Sequence, residues 1–431
     1  MIETYGHHIG SSRTASIGRS PTMTIQAAAE PGGQPVGKRF QRVGRAVAIA
    51  TVALSVVAGS ISATTVPVPP NNVAVGTISG IGATFPAPFY NELFSQFKAY
   101  YDGTTNAVTA NVSFTYAANG SGAGVTAIKN QTADYGASDT ALNDADVAAT
   151  ASINGGVLHI PSTIGGVVLG YKVAGVKTTA TGRVVTLKLT PAIVTRLYTG
   201  QIKFWDNASI KYVNPGVTIP HTRVIPVRRS DSSGTTQVFQ TYLGKVSATW
   251  RCIYGVNGPQ KTFPTGAQSC LAGASLPGVG APRNSGVAAK VSTTNGAIGY
   301  MEYAYAQNAG LRMARLKNPA GVYVTPTTYA FSAAASHAVI PADFRAAPIV
   351  QAAGSTSWPI TSFSYLLVYK NADYLGSADK AQMWVSYLYW TLTSGQSFAR
   401  SMGYAPLPTA ARNKALAQVH LITYSGSAVW P

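Results

Sequence analysis

Acidic residues are scarce in this chain. Only 14 Asp and Glu stand against 32 Lys and Arg in 431 residues, a formal net charge of +18. Such a balance favours anionic partners, from nucleic acid to membrane surfaces to small anions, without choosing among them. The basic residues are scattered singly or in pairs outside one N-terminal cluster, which argues against a nucleic-acid face. Charged residues are only 11% and apolar residues 46%, so disordered and coiled-coil classes are excluded. Histidine is also sparse. His7 and His8 lie in the leader, and His159, His221, His337 and His420 share no metal-ligand spacing. Cysteine is limited to Cys252 and Cys270, with no neighbouring His or Cys to complete four zinc ligands. In an oxidising compartment such an isolated pair reads most simply as one disulfide closing a local loop.

The basic cluster has its own explanation. Lys38, Arg39, Arg42 and Arg45 precede the apolar run AVAIATVALSVVAG, then SISATT and the proline-rich VPVPP. A positive region, a short apolar core and a small-residue exit read as a secretory signal peptide within residues 1–64, cleaved near Ala63. The core is short for a membrane span, which needs about 20 residues. An uncleaved signal anchor is the alternative. The leader ahead of Lys38 is long, and Met23 is a candidate start. No cysteine at the cleavage site could carry a lipid, so an exported, free protein is expected.

From about Thr77 onward, strand and helix signals alternate without internal repeats, which predicts α/β layers. Phe89, Leu93, Phe97 and Tyr100 fall on one helical face behind Pro86 and Pro88. NVSFTYAA alternates like a strand, and LHIPSTIGGVVLGYKV is a near-continuous apolar run of the buried-strand type. TPAIVTRLYTG has Thr190 as N-cap, Pro191 at the first helical position and Gly200 as a stop. GAIGYMEYAYA and TSFSYLLVYKN read as strands, and SADKAQMWVSYLYWTLTSG as a long helix.

Three strand-to-helix loops share one character: GIGATF, NGSGAG and RRSDSSGTT. Each places glycine and a hydroxyl residue where a helix begins. Thr84, Ser121, Ser233 and Thr235 could therefore give an oxyanion hydroxyl and backbone donors from several helix starts. Arg229 could add a bidentate charged contact. Each feature has a plainer reading: glycine turns, ordinary N-caps, and a local Arg–Asp pair at Asp231. Asp139, in DYGASDT, sharpens the choice. A carboxylate repels a fully ionised anion, but it accepts a hydrogen bond from one that carries a proton. Phosphate is protonated at neutral pH and sulfate is not, so Asp139 would discriminate between them. A turn or helix cap is the alternative reading of Asp139.

In order, GIGATFPAPFY, YAANGSGAGV, ADYGASDTAL, PSTIGGVVLGY, LYTGQIKFWD, VRRSDSSGTTQVFQTYL, GAIGYMEYAYA and WPITSFSYLLVYK resemble the phosphate-binding proteins of bacterial phosphate ABC transporters, the PstS type. The resemblance implies a type II periplasmic-binding-protein fold with two lobes, a two-segment hinge and the ligand in the inter-lobe cleft. Residues 77–165 with 358–431 would form one lobe and 166–357 the other, the chain crossing near Gly165 and Trp358. The phosphate contacts implied are Thr84, Phe85 through its backbone N–H, Ser121, Asp139, Arg229, Ser233, Gly234 and Thr235, with Asp231 orienting Arg229. Gly122 and Ala123 depart from the serine and glycine of many relatives, and Ser232 stands where glycine is common. The Cys252–Cys270 segment looks like an extra stapled loop.

The resemblance implies a periplasmic monomer that binds inorganic phosphate, uses no cofactor or metal, and delivers its cargo to a membrane permease. Rival readings are a DING-type phosphate binder, a sulfate or molybdate binder, and a secreted phosphatase. The first loop reads ISGIGAT rather than the sequence that names the DING group. Asp139 argues against sulfate and molybdate. GSGAG fails the GxSxG spacing and lacks a paired base, and His159 reads as a strand residue. An adhesive role outside the cell would be additional to binding.

Overall fold

The strand Gly76–Gly82 lies between Val112–Ala117 and Tyr135–Ser138, and all three run parallel. Ile225–Arg229 likewise lies between Val279–Ala281 and Ala297–Glu302, again all parallel. These two triplets are halves of one ten-stranded sheet, joined through two long antiparallel strands, Val157–Lys172 and Ile360–Tyr369. The computed structural model describes residues 66–71, 73–103, 112–345 and 348–430. The signal peptide read at 1–64 and its cleavage near Ala63 lie outside the described residues.

Val157–Lys172 changes partner midway. Its first part pairs with Ile360–Tyr369, as far as Gly166 against Thr361. Its second part pairs with Ala297–Glu302, beginning at Val167 against Glu302. The changeover falls on two glycines for a steric reason. A Cβ on Gly165 would lie 2.6 Å from Cζ of Phe85, and one on Gly166 2.7 Å from Cδ1 of Phe331. The Trp358 indole donates to the carbonyl of Val167 at 2.9 Å, so the second crossing is tied to the first. Both long strands are buried almost throughout, which is why their sequences read as apolar runs rather than alternating ones.

Helices cover the parallel strands. Ala87–Asp102 buries Phe89, Leu93 and Phe97. Phe97 packs edge-on against Tyr387 at 5.3 Å and Trp390 at 5.7 Å, both from the helix Ala378–Leu392. Tyr100 does not share that face. It is 49% exposed, and Tyr101, four residues beyond Phe97, takes the buried position. Pro191–Tyr198 starts and stops as the sequence indicates. The Thr190 hydroxyl accepts from the N–H of Ile193 at 3.3 Å, and Gly200 has φ +76°. GAIGYMEYAYA divides into the strand Ala297–Glu302 and a short helix, Tyr303–Asn308, with the Glu302 carboxylate as its cap.

Candidate functional site

The two triplets run in opposite directions, and every predicted site residue lies at or just after the carboxyl end of one of their strands. This is the position where α/β sheets place ligands, because backbone N–H groups of the following helices point there. Thr84 and Phe85 follow Gly76–Gly82, Ser121 follows Val112–Ala117, and Asp139 follows Tyr135–Ser138. From the other half, Arg229 ends Ile225–Arg229, and Ser233, Gly234 and Thr235 open the helix Gly234–Val246.

Asp139 is 1% exposed. Its Oδ1 accepts from the Ser364 hydroxyl at 3.0 Å, and its Oδ2 from the hydroxyls of Thr235 at 3.4 Å and Ser121 at 3.5 Å. Burial pushes its pKa up from 3.8 to about 7, against the opposing pull of Ser364 and the Arg229 charge. It caps no helix. It is a desolvated acceptor surrounded by neutral donors, with an arginine nearby.

Arg229 is also 1% exposed. Its Nε donates to Asp231 Oδ1 at 2.7 Å, and its Nη2 pairs with Oδ2 of the same carboxylate. The fork is thereby fixed on one side. Its remaining nitrogen, Nη1, is buried with no protein partner. An unpaired buried guanidinium N–H costs about 1–3 kcal/mol, so it marks a place where an external acceptor belongs. The sequence-level alternative of a local Arg–Asp pair is therefore half of the arrangement. Asp231 holds Arg229, and the other edge of the guanidinium is left for use.

The hydroxyls differ in role. Ser233 is an N-cap, accepting from the Thr236 N–H at 3.2 Å. Ser121 is not: Gly120 caps its helix, and the Ser121 hydroxyl faces Asp139. Nor does Thr84 cap the helix behind it, where Pro86 takes that place. Instead the Thr84 hydroxyl accepts from Asn284 Nδ2 at 3.0 Å. The halves are in close contact. A Cβ on Gly234 would lie 2.5 Å from Ser121 Oγ and 2.8 Å from Asp139 Oδ2.

Several residues join the site without a motif to announce them. Asn284, fully buried at the start of the helix Arg283–Thr293, donates to both Thr84 and Thr235. The Tyr305 hydroxyl donates to the Thr84 carbonyl at 2.6 Å, and the Tyr404 hydroxyl to the Phe85 carbonyl at 2.7 Å. Ser362 donates to the Asp139 carbonyl at 2.8 Å. Glu302 is completely buried, and burial holds its carboxyl pKa well above the ordinary range. A signal for Asn284 existed: GVGAPRNSG repeats the pattern of strand, small residues and helix start.

His159 sits on the long central strand. Its Nε2 accepts from the Leu142 N–H at 3.1 Å, and burial lowers its pKa to about 4, so it is a neutral structural acceptor. Cys252 and Cys270 are joined in a disulfide. No helix among the described residues is long and apolar enough to cross a membrane.

Residues 67–390 match the PBP superfamily domain. The chain is 36% identical over 333 residues to the phosphate-binding protein PstS of Xylella fastidiosa strain 9a5c, covering 77% of this chain and 81% of that protein. It is 32% identical over 357 residues to PstS of Pasteurella multocida, covering 82% and 93% respectively. Among solved structures, a periplasmic phosphate-binding DING protein with bound phosphate shares the fold with a TM-score of 0.58. Its identity is 22%, with 79% of this chain and 93% of that one covered. At that identity the likeness is one of fold, whereas the PstS proteins are relatives in sequence across most of their length. With a buried acceptor, a half-satisfied arginine and three hydroxyl-bearing helix starts brought together on this fold, the chain belongs to the PstS family of phosphate-binding proteins.

Proposed function

We propose that this protein captures inorganic phosphate between two lobes and delivers it to the membrane permease of a phosphate ABC transporter. The observation that carries the reading is the presence of both Asp139 and Arg229, each buried, in one site. One buried group can only take a proton or accept one in a hydrogen bond, and the other offers an unspent charged donor. A hydrogen-bearing oxyanion satisfies both at once, and a proton-free one satisfies only Arg229. Thr84, Ser121, Ser233 and Thr235, with the backbone N–H groups of Phe85 and Gly234, supply the remaining donors in this reading. Asp231 orients the guanidinium.

The lobes are residues 77–165 with 358–431, and 166–357. The changes of strand partner near Gly165 and the Trp358 bond to Val167 support those boundaries. The leader acts as a secretory signal, the mature chain works as a periplasmic monomer, and it is a carrier with no turnover step. Calorimetric titration of protein stripped of phosphate by unfolding and refolding tests the reading. Tight one-to-one phosphate binding with no sulfate binding is expected, and absence of phosphate binding by the folded, stripped chain overturns it. Phosphate release from a chromogenic ester would move the chain to the phosphatase class.

A further inference from the structure

The disulfide-stapled segment touches the site. Cys252 lies in a helical stretch, Ala248–Tyr254, and Cys270 in a short turn of helix, Ser269–Leu271. Between them, Phe263 is buried against Trp250 at 5.7 Å, Tyr300 at 6.1 Å and Tyr198 at 6.2 Å. That anchor lays residues 259–262 along the helix Gly234–Val246. The buried Gln240 amide donates to the carbonyls of Gln260 at 2.7 Å and Thr262 at 2.9 Å. Gln237 donates to the Pro259 carbonyl at 3.2 Å and accepts from the Thr140 hydroxyl at 2.7 Å, next to Asp139. The Lys261 carbonyl accepts from the N–H of Ser233 at 2.8 Å. The stapled segment thus fixes the loop that opens the site's helix and, through Gln237, reaches the Asp139 turn in the other half.

Lys261 itself is half-buried, and no carboxylate among the described residues lies within ion-pair distance of its ammonium. Desolvation weakens its hold on its proton, and the nearby carboxylates Asp146 and Asp139 oppose that loss. This cation without an ion pair belongs to the residue whose carbonyl holds the Ser233 N–H, and its field is felt together with those of Asp146 and Asp139.

Resting on the phosphate-binding reading above, we propose that the Cys252–Cys270 segment is a working part of the anion site. In it, Lys261 is an additional cation that draws inorganic phosphate in, and its backbone positions Ser233. The ammonium acts at a distance through the field, so it governs association; the backbone contact governs how firmly the closed site holds.

Stopped-flow binding of inorganic phosphate across ionic strengths separates the two roles. The proteins are the stripped wild type, Lys261→Met, Lys261→Arg and the double variant Cys252→Ser/Cys270→Ser. Lys261→Met should associate about three- to tenfold more slowly at low salt, the difference shrinking as salt screens the charge, with Lys261→Arg close to wild type. The double variant should release phosphate about tenfold faster while keeping its circular dichroism spectrum. If the wild type binds phosphate and Lys261→Met matches it in rate and salt dependence, the proposal is wrong. A folded double variant with wild-type dissociation also overturns it, for the backbone role. A wild type that fails to bind phosphate removes the underlying reading as well, so the two failures are distinguishable.

Discussion

Ser232 fills the space that a side chain on Gly122 would need: a Cβ there would lie 2.5 Å from the Ser232 Cβ. The two loops come from opposite halves of the sheet, and the Gly122 N–H donates to the Ser232 carbonyl at 3.2 Å. Both positions depart from the resembled pattern, and they depart in opposite directions. The larger residue has moved across the contact while the gap stays filled once. Gly122→Ala should therefore weaken phosphate binding about tenfold by holding the loops apart, and adding Ser232→Gly should recover most of the loss. Calorimetry on the two single variants and the double variant reads the coupling; simple additivity would rule out the exchange.

Asp139→Asn should retain phosphate binding with reduced affinity and gain measurable sulfate binding. The amide can donate where the carboxylate could only accept, which relieves the repulsion of a proton-free anion. Paired titrations with the two anions measure the ratio. An unchanged ratio would relieve Asp139 of the discriminating role.

The same residue sets a pH dependence for the phosphate-free protein. Its carboxyl is raised from 3.8 to about 7 on folding, so the folded state holds a proton that the unfolded chain releases. Its contribution to stability is complete below pH 4 and is lost as pH rises through about 7. Asp139→Asn cannot lose that proton. Its melting temperature, compared with wild type at each pH, should gain a few degrees between pH 4 and pH 8 and then level off. Thermal melts of stripped protein across that range make the comparison, and a difference independent of pH would contradict the assignment.

Arg229→Lys should weaken phosphate binding about 30- to 100-fold, a loss of about 2–3 kcal/mol. A single ammonium cannot both pair with Asp231 on one edge and donate from the other. If Lys serves as well as Arg, the orphaned Nη1 is not the phosphate donor.

Arg283 reaches across the cleft: its Nη2 donates to Asn119 Oδ1 at 3.1 Å, while its backbone N–H donates to Asp231 at 2.9 Å. Arg283→Ala removes the first bond and keeps the second. Phosphate dissociation should quicken by about two- to fivefold with little change in association, as expected for a solvent-exposed contact worth about 0.5–1 kcal/mol. Stopped-flow displacement reads the rate.

The loops were legible in the sequence because each compresses its chemistry into a few adjacent residues. Thr84, Ser121 and Ser233 stand beside the glycines that let helix starts approach one another, and Asp139 stood out in a chain poor in acid. The second layer was harder to see. Ser362 and Ser364 lie on a strand that crosses the sheet from the far end of the chain, and Tyr305 and Tyr404 act only through their hydroxyl tips. Their role depends on strand register, which the local pattern does not encode. Lys261 was equally silent, since nothing in PQKTFP ties it to Ser233 except the fold. Tyr100 and Tyr101 show the same limit on a smaller scale, where packing against neighbouring elements decides which of two adjacent rings is buried.

The strand Val157–Lys172 is laddered into both halves of the sheet, with one shift of register where Ser364 pairs with Thr163 and Tyr365 with Pro161. A carrier that opens on such a strand bends a hydrogen-bonded ribbon instead of swinging on slack connections, and a ribbon resists like a leaf spring. Its stiffness would make the empty protein spring back toward closure and limit how wide the mouth gapes. The two glycines at the midpoint, hemmed in by Phe85 and Phe331, then set the spring constant. Enlarging Gly166, which meets Phe331 alone, would alter how easily the cargo is surrendered without pressing on a residue that touches it.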